Sequence, residues 1–211
     1  MKKTLPLFPL NLVVFPNEKL NLHIFEPRYR QLIGECLEQE SNFGIPAFIN
    51  NKIESYGTEM KIVALNQVYE DGRMDIETQG VHIFKLLNFD NPFEDKLYAG
   101  GEVEIVDLLD DTSEDIFKEL VQSLKRLYEL LQLNLDLNFR SYQFISFEMA
   151  HKVGLSVEQE YELLTIPSES DRQLYLLSHL KRAIPIIYDM ERTKERVRMN
   201  GHFRHFDPLN F

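Results

Sequence analysis

The 211 residues are 44% hydrophobic and 27% charged, a globular composition long enough to bury a core in one large domain or two small ones. A formal charge of -11 and a pI near 5.0 argue against a phosphate-neutralising surface, so neither nucleic acid nor an anionic membrane is an expected partner. The single cysteine, Cys36, cannot close an internal disulfide, no apolar run nears the ~20 residues that cross a bilayer, and a cytoplasmic location is expected.

Up to about Leu109 the chain reads as short strands separated by Pro, Gly and Asn. The expected strands are Thr4–Leu7, Leu12–Phe15, Leu20–Phe25, Gly44–Ile49, Thr58–Tyr69, Arg73–Thr78, Val81–Phe89 and Tyr98–Asp107. Pro6, Pro9 and Pro16 each remove a ladder donor and restrict the first strands to edges or breaks. Asp71-Gly72 marks a tight hairpin turn. One helix interrupts the series, Pro27–Glu38, with Tyr29, Leu32, Ile33, Cys36 and Leu37 on one stripe.

Beyond Asp110-Asp111 the period becomes helical. Thr112 and Asp115 are expected to form a capping box for a helix striped by Ile116, Leu120, Leu124, Leu127 and Leu131. A second helix is expected over Phe139–Val153, closed by Gly154, and a third over Ser156–Leu164, boxed by Ser156 and Gln159. Ser168 and Asp171 cap a long fourth, which Pro185 should kink. The expected class is α+β: a β barrel or curled sheet over 1–110 with one inserted helix, a helical bundle over 111–200, and a C-terminal tail over 201–211.

Candidate chemistry is sparse. Cys36 falls on an apolar stripe and reads as an inert small hydrophobe. His202 and His205 could share a helical turn, but no third ligand stands at matching spacing, so no metal and no cofactor are expected. Asp110, Asp111, Glu114 and Asp115 read as a solvated linker and a dipole-favoured first turn. Lys181–Arg204 holds seven basic and three acidic residues, a local +4 against -15 for the remainder, and reads as a solvated helix end. No nucleophile, base and orienting group can be assembled from the chain, so no catalytic residue is assigned.

The segment from Leu5 to Cys36, with Leu5-Pro6-Leu7, Phe15-Pro16 and His23-Ile24-Phe25-Glu26-Pro27-Arg28-Tyr29, resembles the opening of the Lon protease substrate-binding domain. Gly57-Thr58, Asp71-Gly72-Arg73 and Gly80 are similar to that family's central hairpins, and the leucine-rich stretches around Leu163 and Leu176 to its helical part. The resemblance implies a PUA-like barrel followed by a helical bundle. It also implies non-catalytic recognition of unfolded or degradation-marked polypeptides, or of a partner protease or chaperone ATPase. The sequence contains no G-x-x-x-x-G-K-[ST] phosphate loop and is expected to resemble the free-standing members, without ATPase or peptidase domains. Action beside a separate catalytic subunit, or a small-molecule or RNA-binding role for a PUA-like module, are the alternatives. For peptide or partner contact the candidates are Phe15, Phe25 and Tyr29, with Arg28 and Gln31 at the rim; Arg30 is expected to pair with Glu26 or Glu35.

Overall fold

Six strands, β1 (Lys2–Leu7), β2 (Lys19–Ile24), β3 (Phe43–Ile49), β4 (Lys52–Val68), β5 (Met74–Leu86) and β6 (Ala99–Ile105), form one mixed sheet among the described residues. The structure is a computed structural model that describes residues 1–134 and 144–202, with side chains described as far as Arg198. The strand order is β2-β5-β4-β3-β1-β6, and β5 also pairs with β6, so the sheet closes on itself as a barrel. Helix α1 (Pro27–Glu38) stands between β2 and β3, and α2 (Glu114–Leu130), α3 (Ile145–Ala150), α4 (Val157–Leu164) and α5 (Glu169–His202) follow the last strand. The expected α+β barrel with one inserted helix, a bundle and a long final helix is the observed architecture.

Several element boundaries differ from the sequence expectation. The strands expected over Arg73–Thr78 and Val81–Phe89 merge into one, β5, which starts at Met74 and ends at Leu86. Gly80 stands opposite Met60 and His82 opposite Glu59, so Val81 is the extra residue of a bulge that bends the strand without ending it. Gly80 is required there by space, because a Cβ would lie 2.3 Å from the Phe15 carbonyl oxygen. Leu12–Phe15 is not a strand. Val13, Val14 and Phe15 are all buried, where a half-buried strand would alternate, and the segment is held by side chains. Thr58 Oγ1 donates to the Val14 carbonyl, and the Phe15 N–H donates to Glu18 Oε2 at 2.8 Å.

The helix ends show the same mixture. The Ser156–Gln159 capping box is present at α4. The Thr112–Asp115 box is not: Ser113 is the N-cap of α2, without a side-chain bond, and Thr112 donates to Asp110 instead. Of the helix expected over Phe139–Val153, α3 is the described part; it ends at Ala150, and residues 139–143 lie outside the described residues. Asp111 is not merely a solvated linker residue. Its carboxylate accepts from Ser168 Oγ at 2.8 Å and from the Ser170 N–H at 2.9 Å, capping α5 across 57 and 59 residues of sequence. Those bonds, the Ser170 backbone donor foremost, hold the Asp111 carboxyl below the usual range.

Three apolar clusters position these parts. The largest joins Phe15, Ala47, Ile49 and Ile83 from the barrel to Leu120, Leu124, Phe147, Leu163, Leu176 and Leu180 from the helices, so the bundle is seated on one end of the barrel. A second packs Tyr29, Leu32, Ile33 and Cys36 of α1 against Ile24, Ile45, Met60 and Ile76. Leu5, Leu7, Phe84, Ala99 and Val103 fill a third, smaller one. Within the bundle, Arg172 and Glu169 are completely buried and meet at 2.7 Å. Ser146 of α3 donates to the same carboxylate at 2.6 Å, and the Arg172 guanidinium lies 4.2 Å from the Phe147 ring centroid.

Candidate functional site

Pro27 opens α1 directly after β2, its missing N–H costing nothing in a first turn, so Arg28 and Tyr29 stand where the chain leaves the sheet. Tyr29 is only 7% exposed, and its ring stacks on Phe8 with centroids 3.7 Å apart. Burial raises the Tyr29 phenol above its ordinary range, with Arg28 opposing. Arg28 lies outside it, its guanidinium 4.5 Å from the Tyr29 centroid and 2.8 Å from Glu26.

Arg28 and Tyr29 form one wall of an open cavity of about 220 Å³. The other walls are Pro9 after β1, Phe48 of β3, Ile53 of β4, and Phe89, Asn91 and Ala99 around the β5–β6 connection. Gln31 does not line it. Its side chain accepts from the Leu97 N–H at 3.0 Å and donates to Glu35 at 3.0 Å, fastening the β5–β6 connection to α1. Phe25 is 59% exposed and lies beside His23, ring centroids 6.1 Å apart, away from the cavity. Phe15 requires correction as a surface candidate: it is 1% exposed, stacked on Phe147 at 5.2 Å within the barrel–bundle core. Arg30 bonds neither Glu26 nor Glu35 through its side chain, but donates to the Asp71 carbonyl in the β4–β5 turn at 2.5 Å.

The structure therefore brings two of the five sequence candidates into one cavity and adds aromatic and apolar walls from four distant segments. Nothing local in the sequence marks Phe48 or Phe89, since their role depends on strand closure.

A second, polar recess of about 470 Å³ includes Lys3, Glu35, Asn42, Glu59, Lys96 and Tyr98. Lys3 pairs there with Glu59, and Lys96 with Glu35. Glu59, 2% exposed, accepts from Lys3 at 2.6 Å and Asn42 at 2.7 Å and meets His82 at 2.9 Å. Burial alone would raise the Glu59 carboxyl, but these partners together outweigh it and hold the group below its ordinary value. Glu35 accepts from Tyr98 at 2.6 Å and Lys96 at 3.0 Å. Cys36 is buried, and burial raises its thiol. Among the described residues no group of three or more His, Cys, Asp or Glu side chains could hold a metal ion. His205 lies outside the described residues, as does the side chain of His202. No described helix is long and apolar enough to cross a membrane.

The described residues form a closed barrel carrying a helical bundle, with an aromatic-walled cavity at the start of the inserted helix. The chain belongs to the family of ATP-dependent protease La (LON) substrate-binding domains, whose sequence profile matches residues 4–182. The Lon N-terminal domain protein from Xanthomonas campestris is similar in structure, with a TM-score of 0.68 and 26% identity, covering 83% of this chain and 98% of that one. The N-terminal domain of the Mycobacterium avium complex Lon protease superposes with a TM-score of 0.64 over 85% of this chain and 98% of that one; at 14% identity this likeness concerns the fold. No curated protein matches the sequence in a direct comparison. Family membership supports substrate recognition as the general role.

Proposed function

We propose that this protein recognises polypeptides by seating an apolar side chain of an extended or unfolded segment in the cavity between Tyr29, Phe48, Ile53 and Phe89, with no turnover of its own. The observation that carries this reading is the cavity itself. At about 220 Å³ it is smaller than the roughly 300–1,000 Å³ of small-molecule and cofactor sites, and suits a single anchoring side chain. Aromatic walls supply rigid contact area at low conformational cost, while Arg28 and Asn91 offer donors to the backbone of the bound segment. The net charge of -11 favours segments with basic flanks over acidic ones and disfavours nucleic acid and anionic lipid. The same cavity serves whether the bound segment belongs to a degradation substrate or to a partner ATPase.

Fluorescence anisotropy with labelled, permanently unfolded polypeptides tests this reading. Ile53→Asp and Phe89→Asp, both at half-buried wall positions, are expected to weaken binding at least tenfold with little change in far-UV circular dichroism. Unchanged affinity in both variants would remove the cavity from the recognition surface. Incubation with ATP and an unfolded protein is expected to yield no fragments; cleavage would overturn the assignment of a purely binding role.

A further inference from the structure

We propose that the distal half of α5 pairs with the same segment of a second copy of this chain, in antiparallel orientation. Among the described residues Ile187 is the last apolar residue of α5 that packs against the barrel–bundle core, yet the helix continues. The eleven residues Tyr188–Arg198 extend roughly 16 Å at 1.5 Å per residue, a length at which a lone helix is marginal in water. From the last packed turn outward an apolar stripe is left uncovered: Ile186 is 61% exposed, Met190 55% and Val197 67%. Ala183, Ile186, Met190, Thr193 and Val197 follow one another at spacings of three, four, three and four, the alternation that keeps a stripe facing a partner helix. Thr193 fits the series because its hydroxyl is already bonded to the Asp189 carbonyl at 2.8 Å, which leaves its methyl for the seam.

Charge selects the partner and its direction. The segment 185–191 carries Asp189 and Glu191 and no cation, whereas 192–198 carries Arg192, Lys194, Arg196 and Arg198 against the single acid Glu195. Two copies aligned in parallel would set acid against acid and base against base. Antiparallel copies lay each basic end along the acidic half of the other, with Ile186 packing on the second copy's Val197 and Met190 on its Thr193. In that register Asp189 flanks Arg196 of the second copy, and the symmetric pair repeats the contact. A seam of two heptads predicts a reversible dimer rather than an obligate one.

The test is sedimentation equilibrium of the full chain up to millimolar concentration, with far-UV circular dichroism and a thermal melt on every variant. The expected result is a reversible dimer that Met190→Glu weakens at least tenfold while the melt is unchanged, since the residue is exposed. Asp189→Arg alone and Arg196→Asp alone should each weaken it, and combining the two should restore it. Restoration by Asp189→Lys with Lys194→Asp instead would overturn the antiparallel register in favour of a parallel one. A monomer at every concentration, or a dimer indifferent to Met190→Glu, would overturn the proposal.

Discussion

His151 joins the two halves of the fold, and its charge state should set part of their stability. The ring follows α3 and reaches both ways: Nε2 lies 3.1 Å from Glu18 in the loop before β2, and Nδ1 lies 2.7 Å from Glu160 in α4. Glu18 is itself bonded to the Phe15 N–H, and Gly80 donates to the Glu18 carbonyl at 2.9 Å, so the imidazolium is fastened through Glu18 to the barrel. The Glu18 bond foremost, with Glu160 adding to it and burial opposing, pushes the His151 pKa up to about 9 from its ordinary 6.5. A raised folded-state pKa means that the native state holds the proton more tightly. The resulting stabilisation is complete below pH 6.5 and is lost as pH rises through about 9. The full shift corresponds to a ceiling of roughly 3 kcal/mol at 1.36 kcal/mol per unit. The side chain is 39% exposed, so solvent screening reduces the expected effect to about 1 kcal/mol. Urea unfolding of wild type and His151→Gln at pH about 6 and about 10 isolates it, because other groups cancel in the difference between the two proteins. The wild type should be more stable at the lower pH by that amount and the gap should close at the higher pH. A gap that stays constant across the range would refute a protonated His151 as the source.

Three further outcomes follow from buried groups. Arg172→Met strands the fully buried Glu169 carboxylate and should cost about 3–5 kcal/mol, read as the shift in urea midpoint; Arg172→Met with Glu169→Leu should recover most of it. Gly80→Ala forces the Phe15–Glu18 loop away from β5, because the added methyl meets a backbone oxygen at 2.3 Å; a loss of about 1–3 kcal/mol in unfolding free energy is expected by the same assay. Glu59 has a lowered folded-state pKa, so its contribution is present above the ordinary 4.5 and is lost as pH falls through the folded value. Glu59→Gln should therefore flatten the acid limb of a stability–pH profile below about 4.5, and an unchanged limb would assign acid sensitivity to other carboxylates.

Periodicity made the helices and most strands legible, since α1, α4 and the start of α5 stand where stripes and capping residues place them. It failed where closure decides the conformation. Val13-Val14-Phe15 has strand composition but is buried on both sides, Val13 and Phe15 in the barrel–bundle core and Val14 in the cluster beneath α1, and Gly80 reads as a break although it sits at a bulge within one continuous strand. Asp111 looked like linker because its bonding partners are 57 and 59 residues away. The candidate site was half legible for the same reason. Arg28 and Tyr29 belong to a recognisable local segment, whereas Phe48 and Ile53, paired across the β3–β4 hairpin, meet Phe89 only once the sheet has curled.

The pairing of the first strand with the last has a consequence for synthesis. β1 runs beside β6 from Lys2↔Glu104 to Leu7↔Ala99, so the barrel cannot close until roughly the hundredth residue is free of the ribosome. At about 5–20 residues per second the apolar face of β1 waits on the order of 5–20 s for its partner. Pairings of such long sequence separation also fold slowly once the chain is complete. During that interval Leu5 and Leu7, buried in the finished barrel, lack the Ala99 and Val103 side of their pocket.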